Sequence, residues 1–226
     1  ILTQGWGHTV MSLKQRITEC WKSVIHNGSS RVRRLKRQYS SDVLENRKLL
    51  SALVSGLTQN SRIAVAKEID TYTFQAAAGE SMQFSFADTS NSNFTPRVKL
   101  YDPTGKLVKD FNSPTGGSLS FGNLVQGTYT ISLSDSTGNY TGNYSYTFVK
   151  TRGPHTLNST EGALTSGVTK HGSITAADID VFTFQAAVGE SMQFSFYDTT
   201  YNEFSPWVKI FDPTGKLLTQ GSTGDG

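Results

Sequence analysis

Alternation dominates the chain from Ile63 onward. Tyr72 and Phe74 fall on one side of an extended segment, as do Met82, Phe84 and Phe86. Val98 and Leu100, Leu119 and Phe121, Tyr129, Ile131 and Leu133, and Tyr144, Tyr146 and Phe148 repeat the pattern. The intervening positions are mostly Thr, Ser, Gln, Asn and Lys. A period of two with one apolar and one polar face predicts strands that bury a single side, as an antiparallel sandwich requires. Turn residues punctuate the strands. Ala78, Gly79 and Glu80 separate the first two aromatic strands, and Asp102-Pro103-Thr104-Gly105 has the composition of a type I turn, with Gly105 free to take positive φ. That turn closes a hairpin from 98–102 into 105–110. Counting a short first strand near Ile63, about eight strands are expected, the number of a jelly-roll-like sandwich.

The pattern occurs twice. IDTYTFQAAAGESMQFSF begins at Ile69 and IDVFTFQAAVGESMQFSF at Ile179, and the match continues without a gap to Leu107 and Leu217, with 27 of 39 positions identical. A period of 110 residues is a whole small domain rather than a solenoid unit that needs neighbours to bury its face. Gly226 corresponds to Gly116, so nothing in the second copy answers to GTYTISLSD or NYSYTFVK; the sequence reads as a piece of a longer protein, cut within a domain. The expected organisation is a leader over 1–58, a complete sandwich over 59–150, a linker over 151–166 and a truncated second sandwich over 167–226. The linker is small and polar and carries Pro154, which predicts few contacts across it and two copies behaving as beads.

Charge separates the leader from the repeats. Residues 1–50 hold ten Lys or Arg against three acidic residues, and 51–226 hold eleven against fifteen. The overall charge of +3 therefore belongs to the leader, and it does not mark the repeats as nucleic-acid binders; the leader's basic cluster lacks the aromatic interleaving of a nucleic-acid module. The single cysteine, Cys20, excludes an internal disulfide, and no CxxC or Cys/His zinc pattern exists. No apolar run reaches the roughly 18 residues of a membrane-spanning helix.

Within the leader, Met11 is a candidate start. Leu13, Ile17, Cys20, Trp21, Val24 and Ile25 recur at helical spacing, predicting a short basic amphipathic helix that is either disordered in water or laid on an anionic membrane surface. A cluster of Arg31, Arg33, Arg34, Lys36 and Arg37 follows. Asp42 and Glu45 then stand at capping-box spacing before an apolar stretch, Leu49, Leu50, Ala52, Leu53 and Val54, that ends at Gly56. Leu44, Glu45, Arg47, Leu49 and Leu50 resemble the LEPR-XLL motif near the amino termini of large bacterial surface proteins, with Asn46 where that motif usually has proline. The resemblance implies export.

The complete copy is similar to the bacterial pre-peptidase C-terminal domain family. The resemblance rests on Asp70, Tyr72 and Phe74, on Gly79, on Leu100 to Gly105, and on Gly127 to Ile131 and Tyr144 to Phe148. It implies a β-sandwich accessory module of secreted proteins, often proteases, without catalytic residues of its own; some members bind calcium or polymeric substrates. The copies depart from that family in lying near the amino terminus and in being duplicated.

Chemistry is sparse. His8, His26, His155 and His171 have no acid or nucleophile at a recognisable spacing, and GxSxG, HExxH and Walker-type loops are absent. The chain is expected not to be an enzyme. Glu68 and Asp70, and Asp178 and Asp180, stand where a strand begins; with Asp88 or Asp198 they form a calcium candidate. The alternative, favoured because no DxDxDG run supplies enough oxygens, is that Asp70 and Asp180 cap a turn or satisfy loop amides. Tyr101, Tyr201, Trp207 and Phe211 are aromatic candidates for stacking on a sugar, or for packing under a loop or a neighbouring domain. The expected function is a non-catalytic accessory, spacer or adhesion region of a large exported bacterial surface protein, extracellular or at the cell surface, with polysaccharide or protein as partner. Its rival is a set of accessory domains of a secreted hydrolase, a protease, whose catalytic domain lies outside this sequence.

Overall fold

The computed structural model describes residues 50–90, 92–200 and 204–222. The amphipathic segment, the basic cluster, Leu44, Glu45, Arg47 and Leu49 of the export motif, and Tyr201 lie outside the described residues. Among the described residues the first copy is a sandwich of nine strands: β1 (Leu50–Ala52), β2 (Thr58–Ile63), β3 (Ile69–Ala76), β4 (Met82–Asp88), β5 (Pro96–Tyr101), β6 (Leu107–Asn112), β7 (Gly116–Phe121), β8 (Gly127–Asp135) and β9 (Gly142–Lys150). One sheet has the order β1-β3-β8-β5-β6 and the other β2-β9-β4-β7. Apart from the short β1, this is the jelly-roll order: every connection except the β5–β6 hairpin crosses from one sheet to the other. The fold class is therefore all-β, a jelly-roll sandwich.

The alternating residues named from sequence meet between the sheets. Tyr72, Phe74, Phe84, Phe86, Tyr129, Tyr144, Tyr146 and Phe148 are buried, with Val98, Leu100, Ile131 and Leu133 beside them. Rings pack side by side within each sheet, Phe74 on Tyr129 at 5.3 Å between centroids and Phe84 on Tyr146 at 5.6 Å, and meet across the layers, Phe74 with Phe148 at 4.7 Å and Tyr72 with Tyr146 at 4.8 Å. Aromatic pairs of this kind add about 0.5–1.5 kcal/mol to the burial of their surface. The Asp102 turn forms as expected. Asp102 Oδ1 accepts the Thr104 amide at 2.9 Å, the Thr104 hydroxyl at 2.6 Å and the Lys106 amide at 3.0 Å, and Gly105 has φ +82°.

Two expectations are corrected. The apolar stretch after Leu49 contributes the strand β1 rather than a helical end, and β1 lies inside the segment assigned to the leader. It pairs in parallel with β3, Ser51 opposite Tyr72 and Ala52 opposite Thr73. The second copy repeats this pairing inside the expected linker: β10 (Gly162–Ala163) pairs in parallel with β11 (Phe182–Thr183), Gly162 opposite Phe182 and Ala163 opposite Thr183. Ala52-Leu53-x-Ser55-Gly56-x-Thr58 thus recurs as Ala163-Leu164-x-Ser166-Gly167-x-Thr169, one residue out of step with the rest of the repeat.

The copies are also not beads. Thr58 Oγ1 donates to Asp178 Oδ1 at 2.6 Å, Ser145 Oγ to the Ala176 carbonyl at 3.1 Å, and Thr151 Oγ1 to the Gly215 carbonyl at 3.3 Å. Lys209 Nζ donates to Ser120 Oγ. These contacts run along the β2-β9-β4-β7 sheet, and the outward side chains Ser145, Thr147 and Val149 of β9 are buried like the inward ones. The remaining strands of the second copy are β12 (Trp207–Phe211) and β13 (Leu217–Ser222), an antiparallel hairpin closed by the same turn. Asp212 Oδ1 there accepts the Thr214 amide at 2.8 Å and the Lys216 amide at 2.9 Å.

Candidate functional site

The edge strands β1 and β2 leave the sandwich open on one side, and a polar cleft of about 170 Å³ lies between them. Ser51 comes from β1, Gln59, Asn60 and Ser61 from β2, Asp70 and Tyr72 from β3, and Tyr146 from β9. Strand alternation explains the lining: Tyr72 and Tyr146 belong to the inner faces, and their rings meet at 4.8 Å between centroids. Their hydroxyls reach the open edge. Tyr146 donates to Gln59 Oε1 at 2.9 Å, and the Tyr72 and Tyr144 hydroxyls lie 2.6 Å apart.

Asp70 is the one carboxylate of the cleft. It is half-buried, and its Oδ2 accepts from the Tyr144 hydroxyl and from Ser61 Oγ at 3.3 Å. Burial raises its pKa above the ordinary carboxylate value, a shift that the Tyr144 and Ser61 donors oppose and Glu68 reinforces. Burial likewise pushes the Tyr144 and Tyr146 phenols above the usual tyrosine range. No Lys, Arg or His among the described residues forms an ion pair with Asp70. The cleft therefore presents a carboxylate and two aromatic rings, with no cation paired to the carboxylate among the described residues.

The other acidic candidates do not converge on it. Glu68 Oε2 accepts the Ala64 and Val65 amides, Asp88 Oδ1 accepts the Ser90 amide at 2.8 Å, and Asp198 Oδ1 accepts the Thr200 amide at 2.7 Å. Asp178 Oδ1 accepts from Thr58 and from the Ile179 amide. Asp180 has a half-buried carboxyl whose Oδ1 has no hydrogen-bond partner. Burial, with Asp178 and Glu161 nearby, pushes its pKa up to about 6, against a lowering hydrogen bond from Asn158. Among the described residues no group of three His, Cys, Asp or Glu side chains is arranged to hold a metal. Four of the six carboxylates named as calcium candidates accept local amides, and Asp70 accepts side-chain hydroxyls rather than a cap or loop amide.

Of the aromatic candidates, Trp207 is 62% exposed on β12, with Phe211 on the same face two pairs along and Lys209 between them. Tyr101 is at the end of β5 in the other copy. Where β5 carries Arg97, paired bidentately with Asp110 at 2.8 and 2.6 Å, β12 has Trp207, and Gln220 replaces Asp110.

Two groups escaped the sequence. Ser55 Oγ lies 2.9 Å from His155 Nδ1, across 100 residues, but it also accepts the Lys150 amide at 2.9 Å, and the backbones of Ser55 and Thr156 pair at 2.7 Å. The pair ties the turn after β1 to the chain leaving β9. Asp135, buried at the end of β8, accepts the Thr95 amide on Oδ1 and the Thr137, Asn139 and Tyr140 amides on Oδ2. Burial opposes its ionisation, but the Thr137 hydroxyl and these amides prevail and hold its pKa below the ordinary value. A signal was present: Asp135-Ser-Thr-Gly repeats the Asp-x-Thr-Gly of the hairpin turn.

The second copy has a different occupant at the counterpart of the cleft. Lys170 stands where the first copy has Gln59, and Phe182 where it has Tyr72. The Lys170 ammonium lies 5.7 Å from the Phe182 ring centroid and donates to the Glu161 carbonyl at 2.7 Å.

Among solved structures the chain is similar to the pre-peptidase C-terminal domain of collagenase from Bacillus anthracis, at 13% identity over 45% of this chain and 95% of that one, with a TM-score of 0.36. It is similar also to Aeromonas hydrophila PliG, a periplasmic lysozyme inhibitor of g-type lysozyme, at 12% identity over 45% and 96%, TM-score 0.36. A third is the surface-associated copper-binding protein CorA of Methylomicrobium album BG8, at 6% identity over 45% and 97%, TM-score 0.36. No protein-family model and no curated protein matches the chain.

Proposed function

We propose that this chain is a non-catalytic region of an exported bacterial surface protein, extracellular or at the cell surface, whose tandem sandwiches act as a spacer and present binding surfaces to polysaccharide or protein. Support comes from the contrast between what the copies share and what they change. The parallel β1–β3 register and the Asp102 turn recur residue for residue in β10–β11 and Asp212, while the outward pair Arg97 and Asp110 becomes Trp207 and Gln220. A scaffold kept intact under a changing outer face suits a module that holds and displays better than one that performs a fixed reaction. The second copy is seated on the first through Asp178 and Gly215, which favours a stacked spacer over loosely tethered domains. Co-sedimentation of the purified chain with insoluble polysaccharides, run beside zymograms of gelatin, casein and the same polysaccharides, tests the reading. Binding without hydrolysis is the expected result. Hydrolysis that disappears in Ser55→Ala or His155→Ala would overturn it, because that pair is the described nucleophile and base in hydrogen-bonding contact.

A further inference from the structure

We propose that the β1/β2 cleft of the first sandwich is a binding subsite for a primary ammonium group. The second copy supplies the comparison. There Lys170, at the Gln59 position, places its ammonium 5.7 Å from the ring centroid of Phe182, at the Tyr72 position. A cation within about 6 Å of an aromatic centroid is attracted by the negative face of the ring. In the first copy Gln59 is neutral and bonds to Tyr146, so the same place keeps its ring and, among the described residues, has no ammonium of its own.

The carboxylate of the first cleft is common to both copies, Asp70 aligning with Asp180. Asp70 is held in the cleft by the Tyr144 and Ser61 hydroxyls and has no cationic partner among the described residues. An ammonium brings three donors and no acceptor, and the cleft offers the Asp70 carboxylate, the Gln59 carbonyl oxygen and the Ser51 and Ser61 hydroxyls as acceptors. A calcium ion is a poorer match, since it requires six to eight oxygens and the cleft holds one carboxylate. A guanidinium is a planar fork that seeks two parallel acceptors, whereas Lys170 shows the position reached by a compact ammonium on a flexible stem. The group can be delivered by a lysine side chain of a protein or by an amino sugar of a polysaccharide; the chemistry recognised is the same.

The test is a heteronuclear NMR titration of the full chain with Nα-acetyl-lysine methylamide in one arm and glucosamine in the other, each against its N-acetylated, neutral counterpart. The expected result is saturable binding in the range of about 1–10 mM, typical of one small group at a half-open site, with the largest shifts at Ser51, Asp70 and Tyr72. Whichever arm binds more tightly identifies the source. Asp70→Asn keeps acceptors for Tyr144 and Ser61 and is expected to fold and to bind at least about tenfold more weakly. Gln59→Lys gives the first copy the lysine of the second and is expected to abolish binding by occupying the cleft. No saturable shift with either amine, equal binding of a neutral counterpart, or unchanged affinity in Asp70→Asn would overturn the proposal.

Discussion

The segments Met82–Phe86 and Met192–Phe196 have the same sequence, MQFSF, and different structures. The first lies in β4, between β9 and β7, with Met82 and Phe84 fully buried. The second is not a strand, and Met192 and Phe194 are 47% and 36% exposed. No described residue of the second copy corresponds to β7, β8 or β9; among the described residues the segment has no hydrogen-bonding ladder, and across it Phe194 meets the ring of Phe184 at 5.4 Å between centroids. The parts of the second copy that do form contain their own partners: β10 has β11, and β12 has β13. Strand-forming tendency is thus mainly the tendency to fit a paired, half-buried surface, whereas a turn carries its hydrogen bonds within a few residues and forms in either context.

The comparison can be broken most directly at the strand that pairs with β4. Phe148→Ala removes a β9 ring that packs on Phe74 at 4.7 Å. It is expected to destabilise the first sandwich by about 3–5 kcal/mol in urea denaturation, while Phe194→Ala, in the open counterpart of β4, changes stability by less than about 1 kcal/mol. Equal losses would mean that the two segments are equally packed.

Asp135 sharpens the contrast, because the turn it organises has no described counterpart in the second copy. Asp135→Ala strands the Thr95, Thr137, Asn139 and Tyr140 amides and is expected to cost about 2–4 kcal/mol. The sign with pH follows from its lowered pKa: the stabilisation is present above the ordinary carboxylate range and is lost as pH falls through the lowered value. Asp135→Asn is expected to flatten that acid limb in melting curves.

Gly142 gives a smaller effect. A Cβ there would lie 2.5 Å from the ring of Phe94, which is buried; Gly142→Ala is expected to destabilise by about 1–3 kcal/mol, read by chemical denaturation. The smallest effect belongs to Asp180. Its pKa of about 6 is raised above the unfolded value, so the stabilisation is present below the ordinary carboxylate value and is lost as pH rises through about 6. Asp180→Asn is expected to remove a shallow decline in melting temperature across that window; a decline that survives the substitution would assign it to another group.

What could be read from sequence divides along the same line. Every inward residue named from alternation is part of the core or packed on it, and Asp102 and Gly105 make the expected turn, because these features are periodic or local. The strand β1 was not legible. Three residues paired in parallel with Thr71, Tyr72 and Thr73 carry no period of their own, and their apolar neighbours follow a capping-box spacing. The seating of the second copy through Thr58 and Asp178 joins residues 120 positions apart, and the linker's small polar composition describes its solubility, not what packs on it. The cleft was half legible. Asp70 was singled out from its place where a strand begins, but its partner Tyr144 arrives from β9, 74 residues later, so the hydroxyls that hold it could not be read from its neighbours in the chain.

Hydrogen–deuterium exchange of the two MQFSF segments within one sample tests most directly whether pairing partners, rather than sequence, decide the fold of each copy. Amides of Gln83–Phe86, bonded to β7 and β9, are expected to exchange at least about a hundredfold more slowly than those of Gln193–Phe196, the difference between a core strand and an unpaired segment. Equal protection of the two segments would contradict it.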